Sequence, residues 1–289
     1  MNKQTKLIVC AVALAVAITT GARADQAADA TATNAVATTT GQPTGKPEGH
    51  EATPPATKDW SVTLGGDYFS EYIFRGVNVS SSTALLAPSA IAKYKGFAAS
   101  YYGYYSDGSG KHNRWYEETD LSLDYTKTFV NDKLSVTGGG VYYLYPDGNS
   151  GIDTWELYGK ASWACYLNPY IGLNWDIDSG AGPSGLKGGY GVVGITHSYD
   201  LTAALKMKDG QTLAIVPMAQ LGIDFGWTSK QTQSNIDWND VLLGVSVPYY
   251  IMPSLCVHAG IQVSIALNSL CDINQHNDLI GNVGVSYSF

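Results

Sequence analysis

Apolar and polar side chains alternate one by one along most of the chain after residue 59. In the closing stretch, Leu279, Gly281, Val283, Val285, Tyr287 and Phe289 share one parity. Ile280, Asn282, Gly284, Ser286 and Ser288 share the other. A period of two is that of a strand lying between two unlike environments. Twelve such segments can be laid down, at residues 60–74, 84–95, 97–106, 114–129, 133–145, 153–164, 169–178, 187–199, 211–227, 236–248, 254–266 and 278–289. Most reach the roughly 9–11 residues that a tilted strand needs to cross a bilayer. The apolar parity includes Trp60, Val62 and Leu64; Leu121, Leu123 and Tyr125; Ile171, Leu173, Trp175 and Ile177; and Val241, Leu243, Val245 and Val247. The residues between them are largely small or polar.

The connections alternate too. Lys95-Gly96, Val130-Asn131-Asp132, Cys165 to Asn168, a Lys208-Asp209-Gly210 turn and Tyr249 to Pro253 are short and carry turn residues. The intervening ones, such as Ser106 to Asn113, Pro146 to Ile152 and Ser179 to Leu186, are longer and polar. Aromatics cluster at strand ends. Trp60, Phe97, Phe129, Trp163 and Phe289 fall toward the short turns. Phe74, Tyr105, Trp115, Trp155, Trp175, Trp227 and Trp238 fall toward the long loops. Two aromatic belts, short turns at one end and long loops at the other define an all-β, antiparallel transmembrane β-barrel of 12 strands with up-and-down topology. The competing fold is a secreted β-sandwich, in which the same aromatics would interdigitate between two sheets.

Composition sharpens the choice. Charged residues are 15% of the chain, against roughly 25% in soluble domains. A mean hydropathy of −0.07 does not argue against a barrel, whose polar interior averages out its apolar exterior. Residues 1–24 read as a signal peptide: Lys3 and Lys6, an apolar run from Leu7 to Ile18, and Ala22-Arg23-Ala24 as the exit. Residues 25–58 are rich in Ala, Thr and Pro, and read as a disordered periplasmic linker. Residues 59–289 form the barrel. Without Lys3, Lys6 and Arg23 the chain keeps 14 basic residues against 25 acidic, a net of −11, which excludes a nucleic-acid partner. Cys165, Cys256 and Cys271 fit no metal spacing. No cofactor and no metal are expected.

Two stretches carry resemblances. The apolar face ending on Phe289 resembles the closing strand of bacterial outer-membrane barrels, which implies that the insertion machinery reads Phe289. Leu64-Gly65-Gly66-Asp67-Tyr68, followed by Ser70-Glu71-Tyr72-Ile73-Phe74-Arg75-Gly76, resembles the first-strand element of the TorF-like porins. That resemblance implies a channel in the outer membrane of a Gram-negative cell, with the lipid bilayer and small solutes or cations as partners. Arg75 and Gly76 are the matching positions of note.

If the barrel is right, the inward parity is the working surface. Its candidates are Asp67, Arg75, Glu118, Asp120, Asp124, Glu156, Lys160, Asp176, Asp178 and Asp224, with Asp240 beside them. An acidic lining between low-dielectric walls favours cations, so a mildly cation-selective passive pore is expected. Arg75 would pair with Glu71 or Asp67 and narrow the mouth, or sit at the rim on lipid phosphate. Asp147 to Asp153 is an oxygen-rich loop without the spacing of a calcium site. The alternatives are a non-conducting structural or surface-ligand-binding barrel and a barrel hydrolase. The hydrolase would use His197 or His258, but Ser198 points away from His197, and Ser264 is distant along the strand from His258. The expectation is that the protein is not an enzyme.

Overall fold

The computed structural model describes residues 59–106, 116–146, 152–178, 182–183, 185, 187–229 and 236–289. The signal peptide, the linker, Trp115 and most of the oxygen-rich loop lie outside the described residues.

Twelve strands form the wall: β1 (Trp60–Phe69), β2 (Leu85–Tyr94), β3 (Phe97–Ser106), β4 (Glu117–Phe129), β5 (Leu134–Leu144), β6 (Thr154–Trp163), β7 (Tyr170–Asp176), β8 (Gly189–Thr196), β9 (Thr212–Phe225), β10 (Asp237–Met252), β11 (Leu255–Ala266) and β12 (Asp278–Ser288). Each pairs antiparallel with its sequence neighbours. β1 also pairs with β12, through Thr63↔Ser288 to Phe69↔Asn282, and this closes the cylinder. The fold is an up-and-down barrel with no free edge. No helix among the described residues is long and apolar enough to cross a membrane.

Burial follows the dyad rhythm. On β4, Glu118, Asp120, Ser122 and Asp124 are buried while Leu121, Leu123 and Tyr125 are exposed. The charged parity therefore faces the lumen and the apolar parity faces out, which suits a lipid solvent. Trp60, Phe97, Phe129, Trp163 and Phe289 are exposed at the short-turn end, and Trp155, Trp175 and Trp238 at the long-loop end. Tyr94 and Phe97 are joined by Lys95 and Gly96, both at positive φ (48° and 89°). That is the two-residue turn that matches strand twist.

The departures from expectation are instructive. β1 stops at Phe69, not at residue 74. The Ser70 amide donates to the Gly281 carbonyl, the last bond of that ladder, and the chain then leaves the wall and enters the lumen. Residues 73–78 form a small hairpin, Ile73 opposite Asn78 and Phe74 opposite Val77, whose tip is Arg75-Gly76, with φ values of 52° and 77°. We call it the finger. Phe74 and Trp227, expected in the rim belt, are buried inside and pack edge-on at 5.5 Å. The segment after β8 is longer than a three-residue turn, because Tyr199 and Asp200 add a short pairing to Ile215 and Ala214 of β9. β10 runs on to Met252, so the turn expected over Tyr249 to Pro253 shrinks to Pro253-Ser254.

The hydrophobic core thus sits within the cylinder. Tyr72, Ile73 and Phe74 of the finger segment join Tyr102, Tyr104, Val141, Tyr143 and Ile280 of the wall. Tyr72 stacks on Tyr104 at 4.5 Å and 16°. In the last long loop, the short helix α1 (Asn268–Asp272) presses the fully buried Leu270 on the fingertip. A Cβ at residue 76 would overlap Leu270, so Gly76 is required by space as well as by φ.

Candidate functional site

The site is the lumen at the level of the fingertip. Arg75 is 2% exposed. Its Nη1 and Nη2 donate to Oε1 and Oε2 of Glu156 on β6, at 2.8 and 2.5 Å. Tyr143 on β5 donates to the same carboxylate at 3.2 Å. The guanidinium carbon lies 4.5 Å from the ring centre of Phe74, 4.7 Å from Trp227 and 5.3 Å from Tyr190. The Arg75 carbonyl accepts from Asn239 Nδ2 at 2.8 Å. A bidentate pair flanked by aromatic faces is the geometry in which guanidinium exceeds any other cation. The expected partners of Arg75, Glu71 and Asp67, are not the ones it meets. The finger carries it away from both, across the lumen.

Other local choices hold this seat. Asp224 on β9 accepts three backbone amides, from Trp227, Thr228 and Ser229, at 2.8, 2.9 and 3.1 Å. That turn folds Trp227 over the lumen. Near Gly222 the β9–β10 register shifts, and a Cβ there would overlap Asp240 and the Tyr190 hydroxyl. The missing side chain admits the 2.8 Å bond from Tyr190 to Asp240. Asn239 Nδ2 also donates to Asp240, at 2.9 Å.

Most of the buried lumen acids have donors. Asp124 accepts from Tyr158 at 2.9 Å, and Asp176 from Thr154 Oγ1 at 3.0 Å and from the Asp178 amide at 2.9 Å. Glu118 accepts from Tyr116 and, at 3.5 Å, from Tyr72. Among the described residues, no hydroxyl, amide or cation donates to Asp120, which is 1% exposed and lies beside Glu118. Buried carboxylates need such partners because their hydration is lost. Asp178 lies past the end of β7 and is exposed on the surface, not among the lumen acids.

Other lumen groups differ. Asp67 accepts from His258 Nε2 at 2.6 Å and from Asn282 at 3.3 Å, and both members of the ion pair are about a quarter exposed (24% and 25%). Lys160 lies 4.8 Å from the Tyr170 ring centre, and Lys160 and Lys93 are half-buried. His197, the other histidine of the hydrolase alternative, sits beyond β8 against Tyr166 and Tyr199, with Nδ1 on the Tyr166 carbonyl. Among the described residues, His258 meets Asp67 and Cys256, and His197 meets that carbonyl; neither is bonded to Ser198 or Ser264.

With the geometry set out, comparison with known proteins adds the fold. No protein-family model matches the sequence, and no curated protein matches it. Solved structures do. The chain is similar to the KdgM porin, with 11% identity, 78% of this chain and 99% of that chain covered and a TM-score of 0.50. It is similar to the NanC porin at 14% identity, covering 78% and 98%, with a TM-score of 0.48. It is also similar to the COG4313 outer membrane channel from Pseudomonas putida F1, at 11% identity, covering 84% and 100%, with a TM-score of 0.47. At such identities the likeness is one of fold. The chain has a porin-like twelve-stranded barrel.

Tyr143, Tyr190, Trp227, Asn239 and Leu270 belong to the site and were not expected there. One local signal did exist: Ile73-Phe74 and Val77 flank Arg75-Gly76, an apolar-turn-apolar pattern of a hairpin.

Proposed function

We propose that the protein is an outer-membrane, porin-like channel for small solutes, closed in the observed state by its own first loop. The observation that carries this reading is a seamless barrel, apolar outside and polar inside, whose lumen holds a discrete hairpin from within one loop, buried against the inner wall. The short-turn end would face the periplasm and the long-loop end the exterior, as in bacterial barrels generally. With the finger out, Glu118, Asp120, Glu156, Asp176, Asp224 and Asp240 would line the upper passage while Arg75 leaves with the finger. The open state would prefer cations.

The second reading is a non-conducting barrel. It is favoured by how dry the upper lumen is: Tyr104, Asp176, Tyr190, Asp224 and Asn239 have no exposed surface. Planar-bilayer recording separates the two. The channel reading expects rare openings from the unaltered protein and frequent ones when residues 73–78 are replaced by a Gly-Ser turn, with a reversal potential on the cation side in a salt gradient. A finger-less barrel that stays silent would establish the second reading. An anion-side reversal potential would overturn the selectivity.

A further inference from the structure

The seat that holds Arg75 is made mostly by parts of the barrel other than the finger. Glu156 and Tyr143 come from the wall of β5 and β6, Tyr190 from β8, and Trp227 from the turn that Asp224 organises. Only Phe74 travels with Arg75. The seat offers one carboxylate able to take two parallel N–H donors, two aromatic faces supplied by the barrel, and a surrounding wall of acids. Those features recognise a guanidinium by shape as well as by charge: the fork matches the carboxylate, and the aromatic rings lie within cation–π distance of its carbon. Nothing in them requires the guanidinium to be attached to this chain.

We propose that the seat is a solute-recognition site of the channel, that Arg75 is its tethered occupant, and that the solutes it takes carry a guanidinium group. This rests on the channel reading given above. The finger is built to leave as a unit. Its internal bonds are its own: the Val79 amide donates to the Tyr72 carbonyl at 3.0 Å, and Ser80 Oγ accepts from the Tyr72 amide at 2.8 Å. Its tip turns through two residues at positive φ, 52° and 77°, the two-residue turn that a hairpin's own strand twist favours. A tethered ligand acts at an effective concentration of about millimolar order, so a free guanidinium solute at comparable concentration competes with it. A passing solute would occupy the seat while the finger is out, and departure of the solute would let Arg75 return.

The test uses Arg75→Ala, purified and reconstituted, titrated with ethylguanidinium, ethylammonium or sodium at constant ionic strength. Two readouts are taken, the unfolding midpoint and the single-channel record. The expected result is a saturable rise in midpoint and a return of the closed state with ethylguanidinium, at an apparent affinity about tenfold or more above that of ethylammonium. Adding Glu156→Gln should abolish that preference. Equal responses to the two organic cations, or a preference that survives Glu156→Gln, would overturn the proposal. Should Arg75→Ala not fold, flux through the unaltered protein decides. A guanidinium solute should permeate proteoliposomes faster than a primary amine of the same charge and similar size, and parity would overturn the idea. The channel reading fails separately, by silence of the finger-less barrel, while the midpoint titration still reports whether the seat binds.

Discussion

The two halves of one lumen use the same residue types to opposite ends. Toward the short turns, His258, Lys93 and Lys160 are partly open to water, and His258 reaches up to the equally open Asp67 near the upper end of β1. Near the long loops, Glu118, Asp120, Glu156, Asp176 and Asp224 are at most 2% exposed, and most are bonded to tyrosines, backbone amides or Arg75. Inward polarity alone therefore does not make a pore lining. Where the finger enters, the lining becomes a core whose charges must be paired. Toward the short turns, Lys93, Lys160 and His258 keep contact with water, although Ile91, Ala98 and Asp124 are buried there too.

Breaking the pair at the centre of the dry half should have the largest effect. Glu156→Ala leaves a buried guanidinium without its carboxylate and should destabilise the barrel by about 3–5 kcal/mol. The unfolding midpoint in urea, measured in detergent or lipid vesicles, checks this. Gly76→Val should come next. It adds strain at φ 77° and overlap with Leu270, costing roughly 1–3 kcal/mol and raising open probability in bilayer recordings by expelling the tip. Tyr143→Phe removes one hydroxyl from Glu156 and should cost about 1 kcal/mol, with the same midpoint assay as readout. At the partly open Asp67–His258 pair, Asp67→Asn should cost less than about 1 kcal/mol, because water screens the interaction. If Asp67→Asn proves as damaging as Glu156→Ala, the contrast between the buried and the open pair is wrong.

The smallest effect concerns pH. Glu71 lies in the loop outside the wall. Partial burial raises its carboxyl pKa above the ordinary 4.5, only partly offset by the 2.7 Å bond from Asn78, and Asp278 raises it further. A raised carboxyl disfavours the ionised form in the folded loop. Closure should therefore strengthen slightly as pH falls from neutrality through that raised value toward 4.5. Glu71→Gln should flatten the dependence of open probability on pH.

Much of the wall was legible in the sequence because a period of two is a local signal. Each of the twelve segments corresponds to a strand, and the rows Leu121-Leu123-Tyr125 and Ile171-Leu173-Trp175 face outward as read. Where the finger goes was not legible. Ile73 and Phe74 continue an apolar run, and although Arg75-Gly76 between apolar neighbours suggests a hairpin, nothing local says that it turns into the lumen. What fixes Arg75 is remote: Glu156 is 81 positions away and Asn239 is 164. Phe74 and Trp227 show the same limit. An aromatic near a strand end reads as a belt residue whether it meets lipid or folds over an arginine.

The central claim is that the finger, pinned through Arg75 to Glu156, seals the long-loop half while Thr137, Lys160 and His258 below it stay partly open to water. Cysteine accessibility tests it most directly, in a background where Cys165, Cys256 and Cys271 are changed to serine. Ser122→Cys in the dry half and Thr137→Cys in the short-turn half would each be exposed to a small water-soluble thiol reagent. Thr137→Cys should react readily whether or not Arg75 is present, and Ser122→Cys should be protected until Arg75→Ala is added. Rapid labelling of Ser122→Cys with Arg75 intact would contradict the account.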